Sequence, residues 1–211
     1  MNKNNNIMHE AELDAERKYS RKDAVWRLLK TIPTEGAREG TRETPERVAK
    51  MYDEIFAGYE MDPKEILSKT FATEVDCGAG SDIFQNGIVA VKEIPFYSSC
   101  EHHMVPFFGK AYIAYIPKDR VVGLSKLARL TDCFAKRLQI QERMTNQIAN
   151  ALVESLDPQG VMVVLQAEHL CMSMRGIRKP GTLTTTSAVR GVFAEKKEAR
   201  DECLTIFGFG R

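Results

Sequence analysis

The chain has no apolar run approaching the roughly 20 residues that a membrane-spanning helix needs. It also lacks a net charge of either sign, because 30 basic residues nearly cancel 29 acidic ones. No overall field attracts it to nucleic acid or to a membrane surface, so any anion site must be local. The first residues, MNKNNNIMHEAELDAERK, are polar and acidic. They predict neither a signal peptide nor a transit peptide, and hence a cytoplasmic location.

Histidine and cysteine are both scarce, with four and five residues in 211. An odd number of irregularly spaced cysteines argues against a disulfide framework, and cytoplasmic thiols stay reduced. Yet two short words, CEHH at 100–103 and EHLC at 168–171, contain three of the histidines and two of the cysteines. This concentration indicates a metal site assembled from two distant segments.

The N-terminal part predicts a helical arm. Residues 1–8 are expected to be disordered, and an amphipathic helix is expected from His9 to Ile32. Thr44 before Pro45 is typical of an N-cap and a first-turn proline, and opens a helix that ends near Gly58.

The remaining chain predicts strands, then helices, then strands. GIVAVKEIPFYSSC and GKAYIAYIPKDRVVGL have the composition of two strands joined through CEHH. Residues 125–156 predict two helices, and GVMVVLQAEHLCMSM and GTLTTTSAVRGVF predict two antiparallel strands. We expect an α+β fold with helices layered on a small antiparallel sheet. The domain division is residues 1–60 for the disordered start and arm, and residues 61–211 for a catalytic domain.

Five side chains are candidate metal ligands: Cys100, His102, His103, His169 and Cys171. On a strand His169 and Cys171 point to the same face, and the CxxH spacing lets a turn direct Cys100 and His103 at one cation. Adjacent residues diverge, so His102 and His103 are not both expected to be ligands. Three ligands would leave an open position and two imidazoles for proton transfer.

A lone cysteine on a strand is most often a small buried apolar group, which is our interpretation of the other three thiols, Cys77, Cys133 and Cys203. Ser125, Lys126 and Arg129 begin a predicted helix, where free amides and cations suit a phosphate, although an N-cap serine with solvated neighbours would read the same.

Three further groups have equally plain alternatives. Arg175 follows HLC in a basic segment, MSMRGIRKPG. Arg47 and Lys50 share one helix face and would ordinarily be solvent-exposed. Gln141 and Glu142, at the break between the helices, are either surface residues or a buried carboxylate with a donor-rich partner.

Several long words in one order resemble the GTP cyclohydrolase I family: PFYSSCEHHMVPFFGKAYIAYIP, VVGLSKLARL, QIQERMTNQIANAL, EHLCMSMRGIRKPGT and TTTSAVRGVF. The resemblance covers about residues 41–207 and includes the helix TPERVAKMYDEIFAGY. It implies hydrolytic opening of the imidazole ring of GTP, release of C8 as formate and rearrangement to 7,8-dihydroneopterin triphosphate, the entry to tetrahydrofolate and other pterins.

The resemblance also implies roles for individual residues. Cys100, His103 and Cys171 would hold Zn²⁺, His169 would donate a proton to the purine nitrogen, and His102 would assist later proton transfers. Glu142, with Gln141 beside it, resembles the guanine anchor. The residues that resemble triphosphate and ribose contacts are Arg175, Lys126, Arg129 and the candidate catalytic residue Ser125, with Arg47 and Lys50 contributed by a neighbouring subunit.

The implied architecture is the tunnelling fold, with strand pairs and two helices on one face in the order ββααββ, after the N-terminal helical arm. Subunits close the sheet into a barrel, five to a ring, and two rings form a homodecamer with active sites between subunits. Closure would cover the sheet's two open edges. Two alternatives are a nitrile reductase of the same fold, with one nucleophilic cysteine and a nicotinamide cofactor, and a non-catalytic module that zinc stabilises.

Overall fold

The computed structural model describes residues 3–33, 39–72 and 87–210, with side chains described from residue 16 onward. Cys77 and the side chain of His9 lie outside these residues. The chain forms two compact units, Met1–Phe56 and Ala57–Arg211. None of the described helices is both long and apolar enough to cross a membrane.

The first unit consists of helices α1 (Lys3–Thr31) and α2 (Thr44–Ile55). Helix α1 already includes residues 3–8, for which the sequence predicts disorder. Helix α2 has its N-cap at Glu43, one residue before the predicted Thr44, and Pro45 occupies its first turn. Ion pairs join the two helices, and in one of them Arg21 Nη1 lies 2.6 Å from Asp53 Oδ1.

The second unit begins with a short 3₁₀ turn, Ala57–Glu60, and continues through strands and helices. Its elements are α3 (Pro63–Leu67), β1 (Thr70–Ala72), β2 (Val89–Cys100), β3 (Pro106–Ile116), β4 (Arg120–Val122), α4 (Leu124–Ala135), β5 (Leu138–Gln139), α5 (Gln141–Leu156), β6 (Gly160–His169), α6 (Leu170–Ser173), β7 (Leu183–Gly191), α7 (Val192–Glu195) and α8 (Lys197–Phe207). The α+β class is confirmed. The additions to the predicted order of two strands, two helices and two strands are α3, β1, β4, β5, α6, α7 and α8.

Five strands form the main sheet in the order β5-β2-β3-β6-β7, and β1 with β4 forms a separate two-stranded sheet. The neighbours among β2, β3, β6 and β7 are antiparallel. Strand β5 is parallel to β2 and pairs only with Ser99 and Cys100. For the main sheet, the prediction of four strands therefore omitted the short parallel strand β5, which pairs with the end of β2 just before the metal-site turn.

Both faces of the central strands are covered along residues 111–116 of β3 and 160–165 of β6, which explains why these segments have no polar alternate. On one face, side chains such as Ile113 and Leu165 belong to a core shared with α4 and α5. On the opposite face, Tyr112 and Val164 pack with Phe207 of α8. The sheet is thus covered by two helical layers. The sequence predicted the layer of α4 and α5, and the C-terminal helix α8 supplies the other.

Candidate metal centre and active site

The turn between β2 and β3 brings Cys100 and His103 together. The carbonyl oxygen of Cys100 accepts from His103 N at 3.3 Å and from Met104 N at 2.8 Å, and Cys100 N donates to Val105 O at 2.9 Å. Met104 completes the turn with φ of 54°. As a result Cys100 Sγ lies 3.7 Å from Nδ1 of His103.

The register of β3 and β6 brings the second motif, EHLC at 168–171, to the β2–β3 turn. Strands β3 and β6 are paired so that Phe107 faces His169 at the end of β6. The strand stops there and Cys171 lies in helix α6, so the prediction of one strand through residue 174 is wrong. Strand alternation therefore does not orient the Cys171 side chain toward the site. The change from strand to helical turn orients it, because this change bends the chain back toward the β2–β3 turn.

The ligand atoms of Cys100, His103 and Cys171 all lie within 4.8 Å of one another. Tetrahedral zinc with ordinary bond lengths would place a sulfur–sulfur pair about 3.8 Å apart and a sulfur–nitrogen pair about 3.6 Å apart. The 3.7 Å between Cys100 Sγ and His103 Nδ1 matches the second value. This group could hold a metal ion, and its two sulfurs and one nitrogen are typical zinc ligands.

Burial raises the pKa of the Cys171 thiol, and the neighbouring Cys100 thiol raises it further. Two thiolates this close repel each other unless a cation lies between them. Metal binding would therefore have to displace protons from the site.

His102 lies beside the triad and outside it. Its side chain is 65% exposed, and its Nδ1 is 4.0 Å from Cys100 Sγ. The rings of His102 and His103 are at 85° to each other with centroids 6.2 Å apart. This leaves His102 accessible to a ligand at the mouth of the site.

His169 is half-buried and held on two sides. Its ring stacks on Phe107 with centroids 4.6 Å apart and an interplanar angle of 0°. Its Nε2 lies 2.7 Å from Oε1 of Gln141. Burial lowers the pKa of His169, with an opposing effect of the nearby Glu142 charge. Burial therefore favours the neutral form of this imidazole, and the Glu142 charge favours the protonated form.

Gln141 and Glu142 open helix α5 but differ sharply in exposure. Gln141 is 1% exposed and its amide is occupied by protein groups. Glu142 is exposed, so its carboxylate is accessible to a ligand. Of the two alternatives that the sequence left open, the surface position holds for Glu142, and the buried carboxylate is wrong because the buried side chain is the amide of Gln141.

The predicted basic residues fall in three places. Arg175 lies beside the triad, 3.2 Å from His103 Nε2. Ser125, Lys126 and Arg129 lie on the first turns of α4, whose N-cap is Gly123 and not Ser125. Within the described part of the chain, no hydrogen bond or ion pair joins these three residues to the triad.

Arg47 and Lys50 belong to the first unit. Each pairs with a carboxylate one turn earlier, Arg47 with Glu43 at 2.7 Å and Lys50 with Glu46 at 3.6 Å.

Three supporting contacts were not predicted from the sequence. Phe107 stacks on His169, and the Glu101 carboxylate accepts from Arg143 at 2.5 and 2.9 Å. Glu168 accepts from Ser173 Oγ at 2.6 Å and from Gly181 N at 3.0 Å. The signal for Phe107 is its position opposite His169, which becomes visible only when the register of β3 and β6 is known.

The chain is similar to a known family over most of its length. The family model described as GTP cyclohydrolase I matches residues 21–208. A protein named GTP cyclohydrolase 1 from Carboxydothermus hydrogenoformans is 52% identical over 186 residues, which cover 88% of this chain and 92% of the relative. Its namesake from Halalkalibacterium halodurans is 54% identical over 184 residues, or 87% and 93% of the two chains. Another, from Corynebacterium aurimucosum, is 53% identical over 203 residues, or 95% and 97%.

Proposed function

The chain belongs to the GTP cyclohydrolase I family, and from this premise we propose that its Cys100–His103–Cys171 site opens the imidazole ring of GTP. C8 leaves as formate, and the remainder rearranges to 7,8-dihydroneopterin triphosphate, the first step toward tetrahydrofolate and related pterins. The predicted family and the prediction of an enzyme of this type are confirmed by these comparisons. The observation that carries the placement of the site is the convergence of three ligand atoms within 4.8 Å.

Zn²⁺ is the metal we assign to Cys100, His103 and Cys171. Zinc in such a site supplies Lewis acidity for hydrolysis. Two thiolates and one neutral imidazole leave the site with almost no net charge, so we expect weaker acidification of water than in an all-histidine site. Acid–base help from neighbouring side chains is therefore physically useful. The candidates are His102, whose Nδ1 is 4.0 Å from Cys100 Sγ, and His169, two residues before Cys171 in the chain.

His169 is the proposed proton donor to the purine nitrogen. It is half-buried against Phe107, and a fixed imidazole can donate without first being oriented. The exposed His102 is the proposed partner in later proton transfers, and Ser125 is proposed to act with the ribose and phosphates.

Recognition of GTP is assigned to charged groups around the triad. The exposed carboxylate of Glu142 can accept from both the ring N–H and the exocyclic amine of guanine, which selects against adenine. Arg175 is the cation beside the triad, and Lys126 and Arg129 lie on the first turns of α4, where free amides and the helix dipole favour phosphate. Arg47 and Lys50 would join from a neighbouring subunit, which requires them to exchange Glu43 and Glu46 for the triphosphate.

We propose further that the chain assembles into a homodecamer of two pentameric rings, with the tunnelling fold's ββααββ strand pairs closed into a barrel and the active sites between subunits. Among the residues that the structure describes, strand β7 ends the sheet and β2 has a partner on its outer side only at Ser99 and Cys100. Edges of this kind are usually covered. Residues 1–60 would form the arm and residues 61–211 the catalytic domain.

A cytoplasmic location is part of the same proposal. It is supported by the free thiols of Cys100, Cys133, Cys171 and Cys203, which a reducing compartment would preserve.

Incubation of the zinc-loaded protein with GTP tests the proposed function. We expect pterin fluorescence after oxidation of the product and stoichiometric formate, both lost when a chelator strips the metal and restored by added zinc. A fully zinc-loaded protein that gives neither product would contradict the proposal. If chelation also dissociated and unfolded that inactive protein, the metal would have a structural role.

A further inference from the structure

The side chain of Gln141 is the centre of a buried hydrogen-bond network. It is 1% exposed. Its Nε2 lies 3.0 Å from both Leu165 O and Thr184 O, and 3.1 Å from Thr186 Oγ1. Its Oε1 lies 2.7 Å from Nε2 of His169.

These partners determine which way the amide faces. The carbonyl oxygens of Leu165 and Thr184 can only accept, so they require the amide NH₂ of Gln141. Rotating the amide by half a turn would place its oxygen against two carbonyl oxygens at 3.0 Å, which buries unsatisfied acceptors. The amide oxygen must therefore face His169. Because that oxygen can only accept, His169 Nε2 carries a hydrogen and donates it.

A second contact restrains the same imidazole in a different direction. Stacking on Phe107, with parallel planes, fixes the plane of the His169 ring. The hydrogen bond from Nε2 to Gln141 fixes rotation within that plane. Together they leave Nδ1 as the ring nitrogen without a recorded partner in the described part of the chain.

We infer that Gln141 is a positioning residue for His169 and not a contact to guanine. It holds Nε2–H and so leaves Nδ1 as the nitrogen that first takes up a proton from solvent, giving the imidazolium, and then donates that proton to the substrate. The inference rests on the proposed function, in which His169 is the proton donor. The two adjacent residues at the start of α5 therefore have different roles. The exposed Glu142 recognises guanine, and the buried Gln141 positions His169.

The test uses Gln141→Met, which keeps a side chain of similar length but neither donates nor accepts in this network. The matched control is Thr145→Val. Thr145 Oγ1 bonds Gln141 O and Thr186 Oγ1, both at 2.7 Å, but does not contact His169. His169→Ala and the double variant Gln141→Met/His169→Ala complete a cycle. For each zinc-loaded protein we would measure zinc content, kcat and KM for GTP, and the ratio of kcat/KM for GTP over inosine triphosphate.

We expect Gln141→Met to lower kcat by at least about 10-fold, which is less than the roughly 10²-fold loss expected for His169→Ala. KM, the GTP preference and zinc content should stay within about twofold of the wild type, and Thr145→Val should retain most of kcat. In the His169→Ala background, Gln141→Met should cost nothing further, because the two residues act as a unit.

Several results would overturn the inference. A raised KM and a weaker preference for GTP at unchanged kcat would make Gln141 a guanine contact. Equal losses in Thr145→Val and Gln141→Met would indicate a general loosening of the core, and a full additional loss in the double variant would separate Gln141 from His169. Wild-type turnover by His169→Ala would instead remove the proposed acid itself. If His169→Ala were inactive and Gln141→Met fully active, the role proposed for Gln141 would be wrong and the proposed function would stand.

Discussion

The guanidinium of Arg175 lies 3.2 Å from Nε2 of His103 and also reaches the carbonyl oxygen of Cys171 at 3.3 Å. A guanidinium can only donate, so this contact uses the lone pair of His103 Nε2 and leaves Nδ1 as N–H in the neutral ring. A metal bound through Nδ1 would move that hydrogen to Nε2 and break the contact. In this geometry, metal binding through Nδ1 would therefore free Arg175 for its proposed contact with a phosphate.

Arg175→Ala should consequently keep zinc but bind GTP poorly. Loss of one charge-assisted hydrogen bond to a phosphate costs about 1.5–3 kcal/mol, which predicts at least about a 10-fold fall in kcat/KM, mainly through KM. Steady-state kinetics and metal analysis on one preparation would check both parts. Lys197→Ala is the control, because this exposed cation pairs with Asp201 on α8. A variant that loses zinc together with activity would show that Arg175 supports the metal site instead.

Cys171→Ala should abolish zinc retention and turnover, because two remaining ligands cannot hold the ion against a chelator. Cys203→Ala is the matched control. Burial, with a contribution from the Glu202 charge, raises the pKa of Cys203 to about 12, so this thiol stays protonated and cannot act as a ligand. Metal content after dialysis is the measurement. Wild-type zinc in Cys171→Ala would remove Cys171 from the ligand set.

Glu142→Ala should weaken the preference for GTP over ATP, because the paired donors of guanine lose their acceptor. The expected change is a fall of at least about 10-fold in the ratio of the two kcat/KM values. Glu154→Ala, an exposed carboxylate on the same helix, should leave that ratio unchanged. If the preference for GTP survived in Glu142→Ala, the nucleobase would have another anchor.

The parts of the fold that follow from local pattern were predictable from the sequence. β-branched and aromatic runs predict β2, β3, β6 and β7, and apolar periodicity predicts α4 and α5. The end of β6 was not predictable, because HLCMSM is as apolar as the strand before it. Only the tertiary position of the CEHH turn shows why a helical turn begins at Leu170.

The site residues that the sequence predicted were recognisable by their residue type. The residues that it did not predict depend on strand register and burial for their role. Cysteine and histidine stand out in a sequence that has few of either, whereas Phe107 and Gln141 look ordinary. Their positions are set by cross-strand pairing and by the packing of α5 on the sheet, which a single sequence does not display. The role of α8 was missed for a related reason, since Phe207 and Phe209 become informative only beside Tyr112.

Glu168 connects stability to pH through the basic loop of residues 174–180. One of its oxygens accepts from Ser173 Oγ and from Gly181 N, at the two ends of this loop. These two hydrogen bonds lower the pKa of Glu168 from its ordinary 4.5. The unfolded chain therefore binds more protons than the folded chain just below pH 4.5. The stabilisation is complete above that pH and is lost as the pH falls through the lowered value.

Glu168→Gln, which still accepts both hydrogen bonds but cannot ionise, should be less stable than the wild type at pH 7 and equally stable at the acid end. Thermal unfolding from pH 7 downward, with a chelator in all samples so that metal loss does not contribute, would measure the two curves. Glu202→Gln, an exposed carboxylate on α8, is the control and should follow the wild type throughout. Curves for Glu168→Gln and the wild type that stay parallel from pH 7 to the acid limit would show that ionised Glu168 does not hold the loop.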